Sequence, residues 1–229
     1  MQPLLITGTD TEVGKTIVTA SIAAYWQTYR DPDNLSKSLG IYKPIQAGVG
    51  DREYYQRTFQ LSQSIEEITP LYFETPIAPA IATWREHKPV DLGLIWQQFL
   101  VLQSRYDCLL VEAMGGLGSP ITAEYIVADL ARDWHLPTIL VVPVRLGAIG
   151  QAVANVALAT LQKVDLKGII LSCTKPDIEK EIEDFAPIDL IQGLTNVPVL
   201  GVLPYVADLG DISKLAHAAS HLELERLGF

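Results

Sequence analysis

An apolar run, Leu4-Leu5-Ile6-Thr7, leads into Gly8-Thr9-Asp10-Thr11-Glu12-Val13-Gly14-Lys15-Thr16, and a segment of helical period follows. A strand, a glycine-bounded turn and Gly-Lys-Thr at a helix start together form the context that a phosphate-binding loop requires. In such a loop the backbone N–H groups, with the free amides of the first helical turn, point at anionic oxygens and favour negative charge. Lys15 is then positioned to neutralise β- and γ-oxygens, and Thr16 to put its hydroxyl on Mg²⁺. Five residues separate Gly8 from Gly14, one more than in the common G-x-x-x-x-G-K-[ST] spacing. The plain alternative is a solvated turn that carries Gly-Lys-Thr by chance.

The rest of the chain alternates short apolar runs with longer segments of helical period, the pattern of a parallel sheet covered by helices on both faces. Strands are expected at Leu4 to Thr7, Gly40 to Lys43, Cys108 to Glu112, Thr138 to Val142, Gly168 to Ser172 and Val199 to Leu203. Helices are expected near Lys15 to Tyr29, Leu92 to Ser104, Ala123 to Trp134, Gly147 to Leu161, Ile178 to Gly193 and Ser213 to Leu227. The expected class is α/β, a P-loop NTPase-like and mostly parallel sheet, in a single domain over residues 1–229. Ligands of such sheets bind outside the carboxyl ends of the strands, so the residues just after each run are the ones to search. The segment from Ala47 to Pro89 is the least regular. Pro70, Pro76, Pro79 and Pro89 interrupt it, and it reads as an insertion over the sheet edge.

Lys and Arg number 17 against 27 Asp and Glu, a net charge of −10. A broad basic surface for nucleic acid is therefore not expected, although net charge describes the far field and leaves room for one small basic pocket. The apolar runs fall well short of the roughly 20 residues that cross a bilayer. Met1-Gln2-Pro3-Leu4-Leu5-Ile6 shows no charged leader before an apolar stretch, so a cytoplasmic protein is expected. Cys108 and Cys173 lie in strand-like runs and read as packing residues. His217 and His221 are spaced as a helical pair but have no third ligand in view, and read as surface.

A magnesium–nucleotide site needs oxygen donors beside the phosphates. Glu112 ends the expected third strand and puts a carboxylate at the sheet's carboxyl edge. Its bland alternative is a surface charge at a strand end. Asp51 is a second candidate on position, or a turn-forming Asp after Gly50. Lys43 closes the second expected strand before Pro44, either as a solvated strand end or as a second cation on the anionic centre that Lys15 serves.

Taken together, Thr7-Gly8-Thr9-Asp10-Thr11-Glu12-Val13-Gly14-Lys15-Thr16, Tyr42-Lys43-Pro44-Ile45 and Val111-Glu112 with Gly115-Gly116 resemble the dethiobiotin synthetases, ATP-dependent carboxylating ligases. Val144-Arg145-Leu146-Gly147 and Gly201-Val202-Leu203-Pro204 extend the resemblance over the whole chain. It implies conversion of 7,8-diaminononanoate, CO₂ and ATP into dethiobiotin, ADP and phosphate. It also implies Glu12, Val13, Gly14, Lys15, Thr16 and Ile17 on the nucleotide, with Mg²⁺ on Thr16, Asp51 and Glu112. Lys43 takes the family's catalytic-lysine role with Lys15, and Thr11 lies near the carbamate. Ala47, Gly115 and Gly116 face the substrate, Gly115 also the nucleotide, and Ser172, Cys173, Pro204, Tyr205 and Val206 surround the base. A homodimer is implied, in which the loop at Leu146 and Gly147 reaches substrate bound mainly by the other subunit.

The chain departs from the family's pattern at several of these positions. Ala47 stands where a hydroxyl is frequent and Ala80 where His is common, while Ala113-Met114 replaces Gly-Ala before the paired glycines. Ser172 stands where many members carry Asn to read adenine. Serine lacks the paired donor and acceptor of an amide, so altered base selectivity is expected. Two other readings keep the same loop. An amidoligase would need a glutaminase portion that this length does not accommodate. A nucleotide-switch ATPase of the partitioning type carries a second lysine in its loop, and this loop has none before Gly14.

Overall fold

The computed structural model describes residues 2–30 and 38–228. Six parallel strands form the main sheet: β1 (Leu4–Gly8), β2 (Leu39–Tyr42), β5 (Cys108–Gly116), β6 (Thr138–Pro143), β7 (Leu166–Ser172) and β8 (Val199–Leu203), in the order β2-β5-β1-β6-β7-β8. Two further short strands, β3 (Ile45–Ala47) and β4 (Leu71–Phe73), pair in parallel beside it. The helices are α1 (Lys15–Tyr25), α2 (Asp51–Phe59), α3 (Ile65–Ile68), α4 (Pro79–Glu86), α5 (Leu92–Arg105), α6 (Val127–Asp133), α7 (Ala148–Leu161), α8 (Ile182–Phe185), α9 (Ile188–Thr195) and α10 (Ile212–Ala219).

Side chains alternate across a strand, so each strand feeds both faces. Leu4 and Ile6 of β1, with Cys108 and Leu110 of β5, pack with α1, α2 and α10. Leu5, Leu109 and Val111 face the opposite layer of α5, α6 and α7. This two-sided burial is why the strand sequences read as unbroken apolar runs. From β1 the chain runs to β2 on one side, and from β5, which fills the gap between them, it crosses β1 to β6 on the other. The end of β1 is therefore the switch point, where loops diverge and a crevice opens.

Several expected elements change at their ends. Strand β5 continues past Glu112 to Gly116. Its register with β1 runs Ile6↔Glu112 and then Gly8↔Gly116, so Glu112 sits within the strand and the extra residues bulge out beyond it. The expected helix over Ile178 to Gly193 is broken at Pro187, which has no N–H to continue the ladder. The expected helix from Ser213 stops at Ala219, because the chain turns back and the Glu223 amide bonds the Leu200 carbonyl of β8. Helix α6 starts only at Val127, after a tight loop in which the amides of Ile121 and Thr122 bond the Tyr125 carbonyl. The segment read as irregular holds α2, α3, β4 and α4, with Pro79 in the first turn of α4, where a missing N–H costs nothing. Among the described residues, no helix is long and apolar enough to cross a membrane.

Candidate functional site

The loop between β1 and α1 is wound by two left-handed residues, Glu12 (φ 56°) and Gly14 (φ 96°). Gly14 is also fixed by contact, since a Cβ there would lie 2.3 Å from the Ser172 hydroxyl. No side chain caps α1, which leaves its first amides free for an anion. Lys15 curls back so that its ammonium donates to the Asp10 carbonyl at 2.8 Å, and the Thr11 amide donates to Asp10 Oδ1 at 2.7 Å. Burial, with the nearby Lys43 charge, lowers the Lys15 pKa to about 8, against the opposing pull of Glu112 and Asp51.

Three elements bring oxygen donors to the end of α1. The Thr16 hydroxyl lies 3.0 Å from Asp51 Oδ1, in the first turn of α2, and 3.2 Å from Glu112 Oε1 of β5. Lys43, just past β2, ion-pairs with both carboxylates, at 2.7 Å from Glu112 Oε1. Lys43 and Glu112 are almost wholly buried. Burial disfavours the Lys43 ammonium, yet Glu112 and Asp51 outweigh it and raise its pKa. Asp51 is likewise held ionised against burial, chiefly by Lys43. Of the two readings open for each, burial excludes Lys43 as a solvated strand end and Glu112 as a surface charge.

The donor set suits a hard divalent cation. A hydroxyl carries one proton, so Thr16 can donate to only one of Asp51 and Glu112, and its lone pairs are left for a cation. Two carboxylates and a hydroxyl match Mg²⁺, which takes oxygen ligands in octahedral geometry and keeps places for water and phosphate. Among the described residues, no group of three or more His, Cys, Asp or Glu could hold a metal by itself.

Above these groups lies a cavity of about 560 Å³. Of the residues singled out in the sequence, Thr11, Glu12, Gly14, Lys15, Thr16, Lys43, Ala47, Asp51, Glu112 and Gly115 line it. Met114, noted in the sequence as a departure from the family's pattern, lines it too, as do Gln46, Pro76, Ile77, Ala78, Ser119 and Pro120, which sequence reasoning missed. A second recess, of about 350 Å³, opens on the other side of the loop against Ile17, Ser172, Cys173, Tyr205 and Val206, with Thr174, Ala207 and Leu209 in addition. The Tyr205 amide there donates to Glu179 at 2.9 Å.

Other expected contacts fall elsewhere. Gly116 lines neither cavity. A Cβ on it would sit 2.9 Å from backbone atoms of Gly8 and Thr9, so it is small because β5 runs hard against the loop. The Val13 side chain is wholly buried in the core, leaving only its backbone for a ligand. Pro204 precedes the second recess without lining it. Leu146 is highly exposed, and it and Gly147 stand outside both cavities. Ala80 lies in the first turn of α4, two residues beyond the cavity-lining Ala78. Cys108 and Cys173 are free, buried thiols, and burial pushes Cys173 up to about 11.

Sequence reasoning also missed the residues that hold the carboxylates. Tyr55, wholly buried, donates its hydroxyl to Glu112 Oε2, and burial with the charges of Glu112 and Asp51 keeps that phenol protonated. The signal was the spacing of Asp51, Tyr55 and Phe59, four apart on one face of α2. Gln46 accepts from the Arg52 amide at 2.9 Å and donates to Glu53 at 3.1 Å, while Glu53 also accepts from the Gly50 amide, which pins the start of α2.

Comparison with known proteins bears on both fold and site. The AAA domain family profile matches residues 2–213. The chain is 56% identical to the ATP-dependent dethiobiotin synthetase of Gloeothece citriformis over 227 residues, covering 99% of each chain. It is 46% identical to that of Synechocystis, over 99% of this chain and 94% of the relative, and 32% identical to that of Bacillus subtilis, over 99% and 97%. Among solved structures, it resembles the MinC:MinD cell division protein complex of Aquifex aeolicus with a TM-score of 0.60 at 16% identity, covering 100% of this chain and 97% of the other. A ParA family ATPase of Chlorobium tepidum gives a TM-score of 0.58 at 11% identity, over 99% and 96%. These two likenesses concern the fold alone.

Proposed function

The chain belongs to the ATP-dependent dethiobiotin synthetase family, and from that premise we propose how its residues divide the work of closing a cyclic urea on 7,8-diaminononanoate with CO₂ and ATP. It is an ATP-dependent cyclo-ligase of biotin biosynthesis. The observation that carries the finer reading is the convergence of Lys15, Lys43, Thr16, Asp51 and Glu112 on one cavity that Ala47, Ile77, Ala78, Met114 and Pro120 also line. The charged groups suit phosphates and a carbamate, and the apolar ones an aliphatic chain.

One substrate amine adds to CO₂, loses a proton and becomes a carbamate. A carbamate oxygen then attacks the γ-phosphorus, the bond to the β-phosphate oxygen breaks, and ADP leaves. The second amine attacks the carbonyl of the resulting carbamic–phosphoric anhydride, closing the ring and expelling phosphate. No protein side chain becomes covalently attached. Lys15 and the loop amides of Glu12 to Ile17 hold the phosphates. Lys43, with Thr11 close by, offsets charge on the carbamate and the moving phosphoryl group, a role for preorganised cations in a water-poor site. Gly115 and Ala47 leave room for the diamine. Thr16, Asp51 and Glu112 would hold Mg²⁺, which would offset charge on the phosphate oxygens.

The second recess would take the base against Ser172, Cys173, Tyr205 and Val206. Exposed Leu146 and the turn at Gly147 fit a homodimer in which this loop completes the partner's site. The protein would work in the cytoplasm as one domain, with neither nucleic acid nor membrane as partner. The test is purified protein with diaminononanoate, bicarbonate, Mg²⁺ and ATP, following phosphate release and product mass. Release that depends on the diamine, with the mass of the cyclic urea, is expected. Release independent of the diamine defeats the reading.

A further inference from the structure

The cavity ends at Glu112, but the reason its carboxylate holds its orientation lies behind it. Glu112 is 0% exposed. Its Oε1 receives the Lys43 ammonium at 2.7 Å and the Thr16 hydroxyl at 3.2 Å, on the cavity side. Its Oε2 points into the layer between the sheet and α2, where the Tyr55 hydroxyl donates to it. A buried carboxylate with one oxygen unpaired is poorly solvated and is free to turn toward any other donor.

Tyr55 is itself fully buried in the core on the α1 face, so its ring cannot follow the carboxylate if that moves. It does not line the cavity and touches no reacting group. The same hydroxyl lies 3.5 Å from the Thr16 carbonyl in the first turn of α1. Tyr55 also stands one helical turn after Asp51 on α2. One short helix thus carries a cavity carboxylate on its first residue and the clamp on the other carboxylate one turn later.

We propose that Tyr55 is a positioning residue of this ligase: by holding Oε2 of Glu112 it keeps Oε1 turned toward Lys43, Thr16 and the divalent cation. The inference rests on the reading of Thr16, Asp51 and Glu112 as Mg²⁺ donors. Hydrogen-bond partners of this kind, one step removed from a metal, are typically worth roughly 10–100-fold in metal affinity or activity.

The test is Tyr55→Phe, which removes one oxygen and keeps the ring. ADP binding is measured by calorimetry with and without Mg²⁺, alongside kcat and KM. Affinity for ADP without Mg²⁺ should stay within about twofold of wild type. The gain on adding Mg²⁺ should shrink by roughly 10-fold or more, and kcat should fall by a similar factor with the diamine KM little changed. In a Glu112→Gln background the same change should have almost no further effect, because Tyr55 acts through that carboxylate. A lower melting temperature with an intact Mg²⁺ gain and kcat would show a packing role and overturn the proposal. So would equal losses in the two backgrounds. If wild-type protein shows no Mg²⁺ gain at all, the cation reading of the site falls and this inference with it. A wild-type gain that Tyr55→Phe leaves unchanged refutes only the inference.

Discussion

Replacing Lys43 by Met tests the charge arrangement most directly. Methionine matches the apolar stem of lysine up to Cε while removing a cation that contacts both Asp51 and Glu112. Glu112 is fully buried, so most of the cost is that of leaving one buried charge without its partner, typically about 3–5 kcal/mol. The Asp51 side chain is 34% exposed, and its share is at most about 1 kcal/mol. The neighbouring Lys15 charge recovers part of the loss, which puts the net near 3 kcal/mol. For a chain of this length each kcal/mol moves the melting temperature by about 2–4 °C, so a fall of about 6–12 °C is expected at pH 7.

The pH dependence has a definite sign. The raised Lys43 pKa gives stability that is fully present below the unfolded lysine value and lost above the folded one. The lowered Asp51 pKa gives stability that is present above the unfolded carboxylate value and lost as the pH falls through the folded one. The gap between wild type and variant should therefore be flat from about pH 5 to 7 and narrow in acid, as Asp51 protonates. Scanning calorimetry over that range measures it, with turnover assayed in parallel. Turnover should fall by at least about 10²–10³-fold, the usual effect of removing one stabilising donor from a transition state. A melting shift under about 2 °C would refute the buried-pair reasoning, and near-wild-type turnover would remove the catalytic role of Lys43.

Further outcomes follow from other contacts. Gly116→Ala sets a methyl 2.9 Å from the Gly8 and Thr9 backbone, which cannot yield as a side chain can. It should cost about 1–3 kcal/mol and weaken ADP binding in calorimetry, and wild-type values for both would dismiss the close-contact explanation. With the Lys15 pKa near 8 in the nucleotide-free protein, bound phosphates should raise it again, so binding takes up a proton and ADP affinity should decline as pH rises above about 8. A flat or rising affinity between pH 8 and 10 contradicts that. Ser172 offers one hydroxyl where an amide would offer a donor and an acceptor, so discrimination between ATP and CTP or GTP should be relaxed by about 3–10-fold, the worth of one hydrogen bond. Competition kinetics showing tight ATP preference would sink this.

Much of the molecule was legible in the residue order. The apolar runs gave all six strands of the main sheet to within a few residues, because strands buried on both faces carry that signal locally. The loop from Gly8 to Thr16 declared its chemistry through its place between a strand and a helix, and position after the strands marked Lys43, Asp51 and Glu112, to which family resemblance added roles. What the order could not show was depth and direction. Glu112 looks like a strand end in sequence, and only the pairing with β1 reveals it inside β5, level with Ile6 and sealed by Tyr55. Gly116 looks like a substrate contact, and only the approach of two backbones explains why it has no side chain. The segment after Ala47, read as irregular, hid α2, and with it the four-residue spacing of Asp51 and Tyr55. Local propensity and periodicity belong to the chain and can be read along it. The convergence of Thr16, Lys43, Asp51 and Glu112 belongs to the order of strands in the sheet, which brings the ends of β1, β2 and β5 together from distant parts of the sequence.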